Sequence, residues 1–364
     1  MVRRGGAHPH DGNRLNRVRG GGMMARRQAP TLDDVARLAG VSRATVSRAV
    51  RGGHLVSASA RRAIDAAIEE LGYVPNQVAR SLATRQANNI AVIVSEPHAR
   101  LFGDPFFATS VAGVAETLEP TSRHMALFMA YGGYRRKLEE YLRGGYADAA
   151  LVISHHDEDH LPDLLAELRL PCAFLGRPAA ATRSGFSVAD RFVDIDNVAG
   201  GRIATEHLLA QGCRRIATIT GPMDIASARE RLAGTRAALA AAGLELCGSY
   251  PGSYEPASAQ VQTLELLDRG EPIDGLFVAS DLMAAAAIGV LTANGKRVPD
   301  DIRVIGFDDA DISRLMVPSL STVTNPWREL AIRATQMVLA ELDGATPARP
   351  VILQPELVVR ESTQ

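Results

Sequence analysis

Residues 31–52 read TLDDVARLAGVSRATVSRAVRG, and this stretch sets the N-terminal architecture. Leu32, Val35, Ala36, Leu38 and Ala39 recur at helical spacing, so the first segment has one apolar face. Thr31 precedes it as N-cap, with Asp34 in the capping-box position where Glu or Gln is usual. Gly40 ends the segment and supplies a tight turn. Ser42 caps a second helix, Arg43 to about Arg51, that turns Val46, Ala49 and Val50 inward. Ser57 starts a third, with Ala60, Ile64, Ala67, Ile68 and Leu71 on one face; Gly72 closes it and Pro75 forbids continuation. Residues 76–85 predict one more short helix, capped by Asn76 and carrying Val78 and Leu82. Two short helices joined through a glycine turn and braced by a third are the helix-turn-helix pattern.

The second helix of that pattern presents its first residues to base edges in the major groove. Arg43, Ala44 and Arg48 stand on its outward face. An arginine donates two hydrogen bonds to guanine, whereas Ala44 offers only apolar contact. Thr31, Ser42, Thr45, Ser47, Arg51, Ser57 and Asn76 are short polar or basic groups near helix starts, suited to phosphate oxygens and equally to capping.

Charge supports a head that meets a polyanion. The 364 residues balance 40 Lys+Arg against 41 Asp+Glu, yet residues 1–88 carry +9 and the remainder −10. Residues 1–29, rich in Gly and Arg, bury almost nothing and are expected to be a disordered basic tail; translation is expected to start at Met1 or near Met23 and Met24. With 46% hydrophobic and 22% charged residues, the composition is that of a globular protein and disfavours collagen-like, disordered and coiled-coil architectures. Cys172, Cys213 and Cys247 suit neither zinc nor a redox pair and are expected as free thiols. No apolar run is long enough for a membrane span and no secretory signal is legible, which predicts a cytoplasmic protein.

From Ile90 the period changes. Short apolar runs at 90–95, 125–130, 149–154, 172–175, 192–195, 215–220, 276–280 and 302–307 alternate with helical stretches. Repeated β-α-β predicts parallel sheets covered on both faces, in too many units for one sheet. Two doubly wound parallel-sheet lobes are expected. Lobe 1 covers about 89–190 plus 325–345, and lobe 2 about 191–322 plus 348–364. Ahead of them stand a helix-turn-helix at 30–75 and a linker at 76–88.

The run 31–52, followed by VSASARRAIDAAIEELGYVPNQVARSLAT at 56–84, resembles the DNA-binding head of the LacI/GalR family of transcriptional regulators. DIDNVAGGRIATEHLLAQGCRRIATITGP, SARERLAG, GLFVASDLMAAAAIGVL and DDIRVIGFDDADIS extend the resemblance to that family's periplasmic-binding-protein-like effector domain. The resemblance implies a homodimer on double-stranded DNA at a pseudo-palindromic operator. It makes 76–84 a hinge helix and Leu82 a wedge into the central minor-groove step. It also implies three crossings between the lobes, with a small effector, sugar-like here, bound between them at the carboxyl ends of the strands. Arg231 matches the family arginine that grips ligand hydroxyls, with a surface pair to Glu230 as the alternative. Asp308, Ser280, Asp281, Asp196, Tyr254, Trp327 and Phe107 match other cleft positions; Asp281 equally suits a helix N-cap, and either Phe106 or Phe107 suits the core. Gly176-Arg177 departs from relatives that place an Asp there, so effector identity stays open. Ala284, Ala285 and Ile288, on the helix expected at 282–294, are the expected dimer contacts.

The function so implied is an operator-binding repressor of carbohydrate genes, controlled by a sugar. A nucleobase-responsive co-repressed regulator is the alternative, followed by a solute-binding protein or enzyme with an appended head. No phosphate loop and no G-x-S-x-G are present, and neither catalytic residues nor a cofactor are expected. The run His155-His156-Asp157-Glu158-Asp159-His160 suggests a metal, but it follows a strand and precedes Leu161-Pro162, so a solvated loop is the expected reading.

Overall fold

The computed structural model describes residues 30–50, 56–74, 86–178, 182–183, 186–346 and 349–364. The basic tail, Arg51, Asn76, Leu82 and the hinge helix lie outside the described residues. The chain divides into two compact units, 1–80 and 81–364.

In the first unit, helix α1 spans Leu32–Leu38, α2 Arg43–Val50 and α3 Ala58–Leu71. The capping box at Thr31 and Asp34 forms in both directions. Ser57 accepts from the Ala60 amide, and Gly72 closes α3 in the left-handed conformation at φ +60°. Val35, Ala36, Val46, Ala49, Ile64, Ala67 and Tyr73 are buried together. This small core fixes the angle between α1 and α2.

The second unit is two α/β lobes. Lobe 1 has a six-stranded parallel sheet in the order Val351–Leu353 (β13), Phe192–Ile195 (β7), Cys172–Leu175 (β4), Ala149–Ile153 (β3), Asn89–Val94 (β1) and His124–Met129 (β2). Apart from half-buried Asn89 at the start of β1, the central strands are buried along their length, as expected of a parallel sheet covered on both faces. Lobe 2 has a four-stranded parallel sheet in the order Arg303–Ile305 (β11), Gly275–Val278 (β10), Ile216–Thr220 (β8) and Gly248–Pro251 (β9).

The expected boundaries at 191 and 348 need correction. Both β7 and β13 pair in the sheet of lobe 1, so the first crossing follows Ile195. The second precedes helix Trp327–Leu342, whose Leu330, Ala331, Ala334 and Val338 join the lobe 1 core. The third lies between Leu353 and Leu357–Val358 (β14), which pairs with Thr322–Val323 (β12). Lobe membership follows strand pairing, which periodicity along one strand does not reveal.

Two helices of lobe 2, Asn197–Ala210 (α8) and Ala226–Ala241 (α9), pack with almost no gap. A Cβ added at Gly201 would lie 2.0 Å from the Arg231 carbonyl oxygen, and one at Gly234 2.0 Å from that of Val198. Glycine on both faces lets the two backbones meet, and the contact sets where Arg231 stands. The helix expected at 282–294 forms over Asp281–Ala293 (α11), but Ala284 and Ile288 are buried in the chain's own core. Those two positions are therefore not available to a partner copy, and Ala285 is half-buried. All three cysteines are free, with Cys172 and Cys213 buried. Among the described residues, no helix is long and apolar enough to cross a membrane.

Candidate functional site

In the head, Arg43, Ala44 and Arg48 are exposed on α2, as a base-reading face requires. Arg43 lies 3.6 Å from Asp33, and the Arg48 Nε donates to the Ala44 carbonyl at 3.3 Å. Both partners are exposed, so neither holds its arginine away from a ligand. Ser42 and Ser57 cap their helices through side-chain oxygens, Ser42 also bonding Thr45 Oγ1 at 2.8 Å. Thr31 is committed to Asp34, while Thr45 and Ser47 are half-buried.

In the body, strand ends from both lobes line one cleft enclosing about 750 Å³, mouth included. That is within the ordinary range for a small-molecule site. Arg231 is 5% exposed. Its Nε donates to Asn197 Oδ1 at 2.9 Å and its Nη1 to the Ala279 carbonyl at 2.7 Å. Its guanidinium stacks 3.5 Å from the Phe307 ring centroid. Asn197 in turn donates to Asp194 at 3.1 Å. The alternative surface pair with Glu230 does not form; Glu230 meets Arg177 instead.

Asp308 lines the cleft, accepts from Asn325 at 3.1 Å and adopts φ +116°. Burial pushes its carboxyl up to about 7, against the pull of Arg231. Ser280, Tyr254 and Trp327 also line the cleft. Ser280 additionally caps α11, and Tyr254 takes φ +63°. Trp327 meets Phe106 edge-on at 5.6 Å.

Three expected site residues lie elsewhere. Phe107 is buried in the core, and Phe106 lines the cleft. Asp196 caps α8 by accepting from the Ala199 amide, while Asp194, two residues earlier on β7, faces the cleft. Burial holds Asp194 up at about 6. Asp281 is fully buried and accepts from Thr322 Oγ1 at 2.6 Å and the Ala310 amide at 2.8 Å, which ties the loop after β11. Burial, then the Asp308 charge, raises its carboxyl well above the usual range.

Sequence reasoning missed Arg100, Asp104, Ser154, His155, Ser227 and Asn325, all in the lining. The histidine run is only partly a solvated loop: Asp157, Glu158 and His160 are exposed, but His155 is 7% exposed and Asp159 is buried. His156 bridges the lobes, its Nε2 3.3 Å from Glu96 and its Nδ1 2.7 Å from Asp224. Asp157 meets Arg229 with contacts of 2.5 and 3.1 Å, and Arg177 lies 3.3 Å from Glu230. Among the described residues, no cluster of His, Cys, Asp and Glu suits a metal ion.

The hydrogen bond to Glu96 lifts the His156 imidazole to about 9, despite its burial. A raised value means that the bridge is complete below about pH 6.5, the ordinary histidine range, and is lost as pH rises through about 9. Thermal unfolding of the body should therefore fall in temperature between pH 7 and pH 9.5. His156→Gln should flatten that fall; an unchanged slope would remove the bridge from the closed arrangement.

Arginine forks, carboxylates and aromatic rings lining one cleft suit a neutral polyhydroxy ligand: the forks and acids meet hydroxyls, and the rings cover C–H faces. Comparison with known proteins supports the two-part architecture. Residues 31–76 match "Bacterial regulatory proteins, lacI family", and 205–363 match "Periplasmic binding protein-like domain". The HTH-type transcriptional regulator CelR of Thermobifida fusca is 42% identical over 345 residues, covering 93% of this chain and all of CelR. A CelR–cellobiose complex superposes with a TM-score of 0.71 at 39% identity, over 92% of this chain and 99% of that one. The lac repressor dimer bound to operator and the anti-inducer ONPF superposes at 0.81 with 28% identity, over the same shares. A helix-turn-helix in the N-terminal unit, an interlobe cleft in the body and relatives aligned over more than nine tenths of the chain have one common explanation: this chain belongs to the LacI family of bacterial transcriptional regulators.

Proposed function

We propose that the protein represses carbohydrate genes as a homodimer on a pseudo-palindromic operator, and that a neutral saccharide in the interlobe cleft controls its grip on DNA. The observation that carries the saccharide reading is Arg231, buried, stacked and fixed by Asn197 with Asp308 beside it. Likeness to the CelR–cellobiose complex makes β-linked glucose disaccharides the first to test. Exposed Met125, Leu127, Val261 and Leu264 give the body apolar surface for a partner copy.

The test is calorimetric titration of the full chain with cellobiose, galactose, ribose, guanine and hypoxanthine. Saturable heat with a saccharide, together with a change in operator affinity at the same concentration, is the expected result. Heat with a purine alone would overturn the saccharide reading.

On the DNA side, Arg48→Ala should weaken operator binding by about 1–3 kcal/mol and relax preference at one base pair. Competition binding with operators randomised one position at a time checks this. Equal loss on operator and random duplex would place Arg48 on phosphate.

A further inference from the structure

The cleft is nearly self-satisfied: among the described lining residues, His155 Nδ1, Arg100 Nε and Asn325 Oδ1 are the buried side-chain atoms without a hydrogen-bond partner. His155 follows β3, lines the cleft and is 7% exposed. Its Nε2 lies 2.9 Å from the Arg177 carbonyl oxygen. A carbonyl only accepts, so Nε2 carries the proton and Nδ1 is left with a lone pair. Burial also keeps this imidazole neutral by holding its affinity for protons down. Nδ1 is buried, and no described residue bonds to it. A buried acceptor without a donor keeps the full cost of its lost hydration, so a residue that keeps one in a pocket wall invites a donor from the ligand. Arg100, on helix His98–Gly103 in the same lobe, presents the opposite sense: it lines the cleft, and its Nε has no described partner.

Arg231 and Asp308 belong to lobe 2, and His155 to lobe 1. We propose that His155 is a specificity residue of the effector cleft, its Nδ1 accepting a hydrogen bond from one ligand hydroxyl, so that the lobe 1 wall reads a polar group that the lobe 2 wall does not. The assignment rests on the saccharide reading above and deepens it. It requires an O–H or N–H donor at one position of the ligand; an ether oxygen or a fluorine there leaves Nδ1 unpaired. The ring's edge-on packing against Phe174, at 5.3 Å between centroids, holds it in place for that selection.

The test uses cellobiose and its mono-deoxyfluoro analogues, in which each hydroxyl in turn loses its proton while keeping its size. With the unaltered full chain, one analogue should bind about tenfold or more weaker than cellobiose through this contact. With His155→Phe, cellobiose and that analogue should bind within about twofold of each other, because the acceptor is gone from both. A variant that keeps the full discrimination against every analogue would overturn the assignment. Should His155→Phe fail to fold, the nitrogen spectrum of the unaltered protein decides. The Nδ1 resonance should move upfield, as a pyridine-type nitrogen does on accepting a hydrogen bond, when cellobiose is added; an unmoved resonance at saturation would overturn the proposal. Failure of cellobiose and every other saccharide to bind the unaltered chain falls on the saccharide reading and takes this assignment with it. Saccharide binding with undiminished discrimination in the variant falls on His155 alone.

Discussion

Replacing Arg231 by Ala should abolish the response to saccharide while leaving operator binding intact. The side chain donates to Asn197 and to the Ala279 carbonyl, lies over Phe307 and faces Asp308. Removing it takes away the fork suited to a vicinal hydroxyl pair and leaves Asp308 without its compensating charge. Loss of a buried, hydrogen-bonded ionic partner costs about 2–5 kcal/mol, so saccharide affinity should fall at least about thirtyfold. Lysine should not restore it, because a point charge on a flexible stem neither forks nor stacks. Titration calorimetry measures the loss, and operator affinity measured in parallel separates a damaged cleft from a damaged fold. Unchanged saccharide affinity in the variant would make Arg231 a brace between α8 and α9.

The second large effect is expected at a residue that touches no ligand. Gly201→Ala pushes a methyl group to within 2.0 Å of the Arg231 carbonyl oxygen, which is backbone and does not rotate aside. The two helices must part, at a cost of about 3 kcal/mol in unfolding free energy. Parting them also carries Arg231 away from Asn197, so saccharide affinity should fall with stability. Gly289→Ala is the matched control. That glycine is also helical and has nothing within 4 Å of its would-be Cβ, so the change should stabilise by about 0.5–1 kcal/mol. Denaturant unfolding of the two variants should therefore shift in opposite directions. A neutral Gly201→Ala would contradict the close approach.

The particular residues explain why some of this was legible in the sequence. The three-helix head carries its own punctuation in Thr31, Ser57 and Gly72, each of which acts on neighbours within five residues. Most body strands were legible for the same reason: runs such as Cys172–Leu175 are apolar throughout and end at charged or turn residues. Gly248–Pro251 reads as no strand because an edge position needs no apolar run. Asp194 and Asp196 stand two apart, which on a continued strand would give both the same face. The strand ends at Ile195, so Asp196 becomes a helix cap and only Asp194 stays in the lining. Phe106 and Phe107 are adjacent on helix Pro105–Leu118, and which of them enters the core depends on the helix's rotation against Trp327. Asp281 and Ile288 were misread because sequence does not reveal which helix face meets the chain's own sheet. His155 was hidden by its polar neighbours, whose partners Asp224 and Arg229 arrive from some seventy residues away.

The ties between the lobes join residues 156, 157 and 177 to 224, 229 and 230, and their side chains are between a quarter and a half exposed. Dissolved ions compete with such pairs far more than with the buried arginine in the cleft. On the saccharide reading, whatever these pairs contribute to closing the cleft is therefore sensitive to the surrounding electrolyte, while the contacts of the buried arginine are not. On the same reading, more saccharide is needed at high salt to reach the same occupancy, with no change in the binding residues. Half-maximal sugar concentrations measured in dilute and concentrated potassium chloride read this directly, and identical values would show that the rim pairs carry none of the closure.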